Sequence, residues 1–162
     1  MVASGKKRQS RTILLERAMN HEHAWKNFLQ VNGNSMFQTA LLLSENAHAA
    51  EAALADSIDD LDLSSPPGNH SLAIWEGAVI KRSIGARASA SPAEASMARS
   101  MLQPGLRPVI EIERCPRICF VLHVLLGYKA VFCAQMLGTA ESEIGILLKR
   151  AVTQLCGTIT PA

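Results

Sequence analysis

"GYKAVFCAQMLGTAESEIGILLKRA", Gly127 to Ala151, decides how the chain is read. Two helices that cross steeply need a small residue where their backbones meet, and Ala134 supplies it. They need a turn residue tolerant of a left-handed backbone, which Gly138 provides. They also need apolar residues to lock the second helix down, here Ile144 and Leu147. Ala-x3-Gly-x5-Ile-x2-Leu is the spacing of a helix-turn-helix. The second helix, from Ala140 to Leu155, continues its apolar face through Ile144, Leu147, Leu148, Ala151 and Leu155. Upstream, "RICFVLHVLLGY" reads as a support helix with Ile118, Val121, Leu122 and Leu125 inward.

The rest of the chain also reads as helical. Its 162 residues are 48% hydrophobic and only 4% aromatic, a composition suited to cores of Leu, Ala, Ile and Val. Near Arg11 a stripe begins with Ile13, Leu14, Arg17 and Ala18 and resumes at Ala24, Trp25, Phe28 and Leu29. "VNGNS" (31–35) predicts a break, with Ser35 capping a second helix from Met36 to Leu43 whose Phe37, Ala40, Leu41 and Leu43 face inward. A third helix is expected from Ala47 to Leu61, burying Ala50, Ala53, Leu54 and Ile58. Pro66, Pro67 and Gly68 then stop helical continuation. A fourth helix is expected from Leu72 to about Ile84. From Gly85 to Pro108 the composition turns to Ala, Ser, Pro and Arg and reads as a linker, with "PAEASMARSML" as a helical portion. The expected organisation is all-α, with modules at 1–84 and 109–162 joined by 85–108.

Net charge is +2, but it is segregated. No Lys or Arg occurs between Asn27 and Ile80, where Glu45, Glu51, Asp56, Asp59, Asp60, Asp62 and Glu76 lie. Basic residues collect at Lys6, Lys7, Arg8, Arg11 and Arg17 and again from Lys81 onward. A solvated acidic face accounts for part of this, and two modules with different partners account for the rest.

Enzyme chemistry finds no support. There is no Ser/His/Asp order, glycine-rich phosphate loop or carboxylate cluster with an adjacent base. Cys115, Cys119 and His123 step by four along one helix, but no CxxC pair or fourth ligand accompanies them, so core filling is the expected role. No cofactor or metal is expected. No stretch has the length of a membrane span, and the N-terminal apolar run is too short for a signal peptide, so a cytoplasmic location is expected.

"IERCPRICFVLHVLLGYKAVFCAQMLGTAESEIGILLKRAVTQL" resembles the fourth conserved region of bacterial RNA polymerase sigma factors of the extracytoplasmic-function type. That family follows an Arg-x-Val-Phe-x-Leu-Arg helix with Gly-Tyr-Ser, an Ile-Ala-x-x-Leu-Gly helix and a basic recognition helix. The corresponding stretches here are 117–123, 127–129 and 133–138. "ALLLSENAHAAEAALADSIDDL" resembles the family's second region through Asn46, Ala50, Glu51 and Asp56, and "IWEGAVIKRSI" is similar to the segment that follows. The resemblance runs from about Phe37 to Leu155.

It implies a transcription initiation protein whose partners are core RNA polymerase and promoter DNA, with an anti-sigma protein as a further partner that the family admits. Glu51, Asp56, Asp59 and Asp60 would face the polymerase. Lys81, Arg82, Arg87, Lys129, Ser142, Gly145, Ile146, Lys149 and Arg150 would approach DNA. The chain departs from the family where Gly145 and Leu147 stand near its usual Lys and Arg, and where Ala52 and Ala55 replace polar residues used against the polymerase. Glu141 and Glu143 open the recognition helix, although acidic residues also suit a helix N-terminus. The alternative is a sigma-fold interaction protein that binds a regulator or itself and not DNA.

Overall fold

The computed structural model describes the backbone of residues 4–86 and 91–159, and the side chains of 16–86 and 91–157. Among these residues eight α-helices follow in order: α1 Ser4–Ser44, α2 Ala47–Ser57, α3 Asn69–Gly85, α4 Pro92–Met101, α5 Arg107–Ile110, α6 Arg114–Phe120, α7 Ala130–Leu137 and α8 Glu141–Ile159. No strand occurs among the described residues, so the fold is all-α as expected. No single helix among them is long and apolar enough to cross a membrane.

The expected break at 31–35 is absent, because α1 runs unbroken through Asn32, Gly33 and Asn34. Packing overrides propensity here. Gly33 costs about 1 kcal/mol relative to Ala in a helix. Immediately downstream Met36, Ala40, Leu41, Leu42 and Leu43 are all buried, and each fully buried Leu contributes roughly 2 kcal/mol. Asn32 also returns its side-chain amide to the Phe28 carbonyl at 2.8 Å, within the helix. Ser35 is consequently an interior residue and caps nothing.

α1 ends in a tight corner. The Ser44 hydroxyl donates to the Ala40 carbonyl at 2.7 Å, and Glu45 adopts a left-handed backbone with φ of 58°. Asn46 then caps α2, its side-chain oxygen accepting from the Ala49 amide at 2.9 Å. Ala47, Ala50 and Ala53 let α2 approach α1 closely. α2 stops at Ser57 and tightens into a 3-10 turn over Ile58–Asp60, short of the expected end at Leu61. α3 closes the layer by burying Trp75, Val79 and Ile80. Phe28 joins the two tryptophans, 5.3 Å from Trp25 and 5.9 Å from Trp75 between ring centroids.

Within the stretch expected as a linker, α4 is a capped helix. Ser91 and Glu94 hydrogen-bond each other's backbone reciprocally around Pro92. Ala98 and Leu102 enter the core. Gln38 of α1 donates to the Met101 carbonyl at 3.0 Å and accepts from the Gln103 amide at 2.8 Å.

α6 continues into a π-helical turn at Val121–Leu125. Ile118, Val121 and Leu122 are buried as expected, but Leu125 is exposed. The wider turn shifts the register by one residue. Leu126, whose amide donates to the Val121 carbonyl, packs against the core in its place. The buried apolar residues form one cluster from Trp25 to Ala151, spanning α1 through α8.

Candidate functional site

The helix-turn-helix is built from α6 to α8. Gly138 ends α7 in the left-handed region, with φ of 65° and ψ of 33°. The Thr139 amide closes the turn on the Ala134 carbonyl at 3.0 Å. Across this break α7 and α8 bend by 91°. Ala134 and Ile144 are buried where the helices cross, and Leu147, Leu148 and Leu155 are half-buried against the core. The Cys119 thiol donates to the Ile144 carbonyl at 3.7 Å, tying the support helix to the first turns of α8.

The outward face of α8 follows from this seating. Ser142, Gly145, Ile146 and Lys149 lie at i, i+3, i+4 and i+7, all exposed, and Arg150 is exposed beside them. Ile146 is 63% exposed, the most prominent apolar side chain among the described residues of this helix. A Cβ built on Gly145 would meet nothing within 4 Å. Leu147 turns toward the core, so the two positions near which the family carries cations are not equivalent in this structure.

The charge on this face is low. Arg150 is paired with Glu113 at 2.6 Å, and Gln154 accepts from the Glu113 backbone amide at 2.9 Å, which anchors α8 to the start of α6. Glu141, Ser142 and Glu143 are exposed in the first turn. Lys149 is exposed along α8, and Lys129 is exposed at the entrance to α7.

Glu51, Asp56 and Asp59 are exposed along α2 and the turn after it. Asp60 is engaged by Arg82 at 2.6 Å, and Arg82 also reaches the Ser57 hydroxyl at 3.5 Å. The hydrogen bond from Arg82 holds the Asp60 carboxyl below its usual range. Two residues expected to meet different partners are thus each other's partner, while Lys81 points to solvent. Arg87 lies outside the described residues.

Sequence reading missed the residues that join the two halves. Arg117 is fully buried. Its Nε donates to the Leu42 carbonyl at 2.7 Å, and its Nη1 donates to Glu45 Oε1 at 2.6 Å, to the Ile112 carbonyl at 2.7 Å and to the Ile110 carbonyl at 3.2 Å. One guanidinium therefore satisfies carbonyls at the end of α1 and after α5, where helices leave acceptors unpaired. Burial pulls its pKa down, and Glu45 opposes that shift. Its only sequence signal is a cation set inside the apolar run "PRICFVLHVLL".

Tyr128 makes a second link, its hydroxyl donating to Glu76 Oε1 of α3 at 2.5 Å. Burial, then Glu76, pushes the phenol pKa up. Arg114 makes a third, donating to the Ile84 and Ala86 carbonyls at the end of α3.

The cysteine series does not converge. Cys115 is exposed, Cys119 is buried, and His123 turns its Nδ1 to the Tyr128 carbonyl at 2.7 Å. The core-filling role expected of the series holds for Cys119 and not for Cys115. Among the described residues, no group of three His, Cys, Asp or Glu side chains is placed to hold a metal ion. Comparison with known proteins gives no significant match to any family, curated protein or solved structure.

Proposed function

We propose that this chain is a sigma-factor-like transcription protein that engages core RNA polymerase through α2 and promoter DNA through α8. The reading rests on α7, its Gly138 turn and α8, which seat Ser142, Gly145, Ile146 and Lys149 on one outward stripe. It draws further support from the resemblance of both halves to the family in the family's own order. In this assignment α1–α3 correspond to the second region and α6–α8 to the fourth. Glu51, Asp56 and Asp59 form the polymerase face. Asp60 and Arg82 act together, so Arg82 reaches DNA only by leaving Asp60. Lys81, Lys129, Lys149 and Arg150 supply phosphate contacts, and Arg150 must exchange Glu113 for them.

The charge of α8 favours a second reading, in which the same face meets a protein. Phosphate contacts by Lys and Arg dominate affinity for DNA, and here Arg150 is already paired while Glu141 and Glu143 stand nearby. Retention on core RNA polymerase, followed by run-off transcription from a library of genomic fragments, separates the two. Retention with defined transcripts supports initiation. Retention without transcripts supports the protein-binding reading, and no retention rejects the polymerase assignment.

A further inference from the structure

α8 carries four charges, and they are sorted along its length. Glu141 and Glu143 precede Ile146, and Lys149 and Arg150 follow it. The helix dipole accounts for carboxylates in the first turn, but its influence fades within that turn and leaves the two mid-helix cations unexplained. Between the two groups Ile146 stands 63% exposed. It walls two open hollows, one of about 330 Å³ with Leu137, Glu143 and Leu147, the other of about 350 Å³ with Lys149, Arg150 and Thr153.

The spacing of the charges identifies what covers this face. Glu143 and Arg150 are seven residues apart and share one edge of the exposed stripe, while Ser142 and Lys149, also seven apart, share the other. Each pair brackets Ile146. When two such helices run antiparallel about a two-fold axis at Ile146, each edge meets its own counterpart reversed. Glu143 then faces Arg150 of the second copy, Ser142 faces Lys149, and the same contacts recur across the axis. Run in parallel, the helices would set their cations at one level and their carboxylates at another.

We propose that a second copy of this chain covers the outward face of α8 in this antiparallel pairing, with the two Ile146 side chains packed together at its centre. Arg150 gives Nη2 to Glu113 and is more than half exposed, so its other N–H groups serve the second carboxylate. Duplex DNA matches the face less well, since its phosphates would meet Glu143 as readily as Lys149. About two turns of each helix meet, a contact of the weak, transient class that buries less than about 1,200 Å². The inference rests on the protein-binding reading of α8 and names the protein. Because Ser142, Ile146 and Lys149 are covered, self-pairing and DNA contact through this stripe exclude each other.

Sedimentation of the full chain from about 10 to 500 µM should show a monomer–dimer equilibrium that salt shifts toward monomer. Ile146→Asp should weaken the dimer by about tenfold or more, with helicity unchanged because the position is exposed. Glu143→Arg and Arg150→Glu should each weaken it too, one by opposing cations and the other by opposing carboxylates. Mixed in equal amounts, those two variants should pair again, because each contact between positions 143 and 150 then joins opposite charges. A chain monomeric throughout, a dimer indifferent to Ile146→Asp, or two charge variants that fail to complement each other overturns the proposal. Anisotropy of a labelled random duplex separates the causes of failure. A monomer that binds the duplex through Lys149 returns the face to DNA and ends the protein-binding reading as well. A monomer without such binding ends the self-pairing alone and leaves the face to a different protein.

Discussion

Gly145 sits in the interior of α8 with open space where a side chain would be. Gly145→Ala should therefore raise stability by up to about 1 kcal/mol in urea unfolding, through helix propensity alone. Gly145→Lys should fold equally well and add one cation to the outward stripe. In gel-shift titrations it should steepen the salt dependence of DNA binding by about one unit. Leu147→Arg, by contrast, would place a charge among residues packed on the core and should destabilise the fold. Tight, steeply salt-dependent binding by the unmodified protein would show that its present cations suffice.

Cys119 gives a pH signature. Burial, with Cys133 nearby, pushes its thiol from the ordinary 9.0 up to about 11. The folded state thus holds a proton that the unfolded chain has released. This contribution is complete below pH 9 and disappears as pH rises toward 11, a loss of about 2–3 kcal/mol. Urea midpoints measured from pH 8 to 11 should fall accordingly, and less steeply in Cys119→Ala. An unchanged alkaline slope in that variant would remove Cys119 as the cause. Ala134, Gly138 and Ile144 were legible in the sequence because each answers a local demand of one turn. Arg117 was not, since its partners Glu45 and Leu42 lie 72 and 75 positions away.

Among elements, α2 and α3 follow the sequence closely, because Ala50, Ala53, Trp75 and Val79 repeat with helical period and strong punctuation surrounds them. α1 defeats the same reasoning: Asn and Gly at 32–34 signal a turn, yet the burial that retains the helix is supplied by α2, α3 and α6. The π turn after α6 is equally hidden, since Leu125 and Leu126 are chemically alike and only packing chooses between them. The α2 face yields a direct test of the polymerase assignment. Asp56→Lys with Asp59→Lys should weaken retention on core RNA polymerase while circular dichroism and melting remain unchanged, both residues being exposed. Unaltered retention by a folded variant would move the interface elsewhere.

For the whole molecule, the boundaries at 84 and 109 mark changes in composition, while the contacts cross them. Gln38 holds the end of α4, Arg114 the end of α3, Arg117 the end of α1, and Tyr128 reaches Glu76. With one buried cluster running from Trp25 to Ala151, unfolding should be a single cooperative transition. Two probes report on separate halves: fluorescence from Trp25 and Trp75, and thiol labelling of Cys119 and Cys133. Their urea midpoints should coincide. Midpoints that separate would show two units of independent stability.

Arg117 also bears on the order in which the chain assembles. Bringing its guanidinium to Leu42 and Glu45 closes a long loop, and contacts of such separation form only after local helices and their nearest neighbours have docked. Its bonds therefore belong to the descent from the folding barrier and not to the climb. Arg117→Ala strips the Leu42, Ile110 and Ile112 carbonyls of a buried donor and leaves the half-buried Glu45 unpaired, and should cost about 3–5 kcal/mol at equilibrium. Almost all of that loss should appear as faster unfolding in stopped-flow traces, with the refolding limb nearly unmoved. The residue that closes the structure then sets how long the native state lasts once formed.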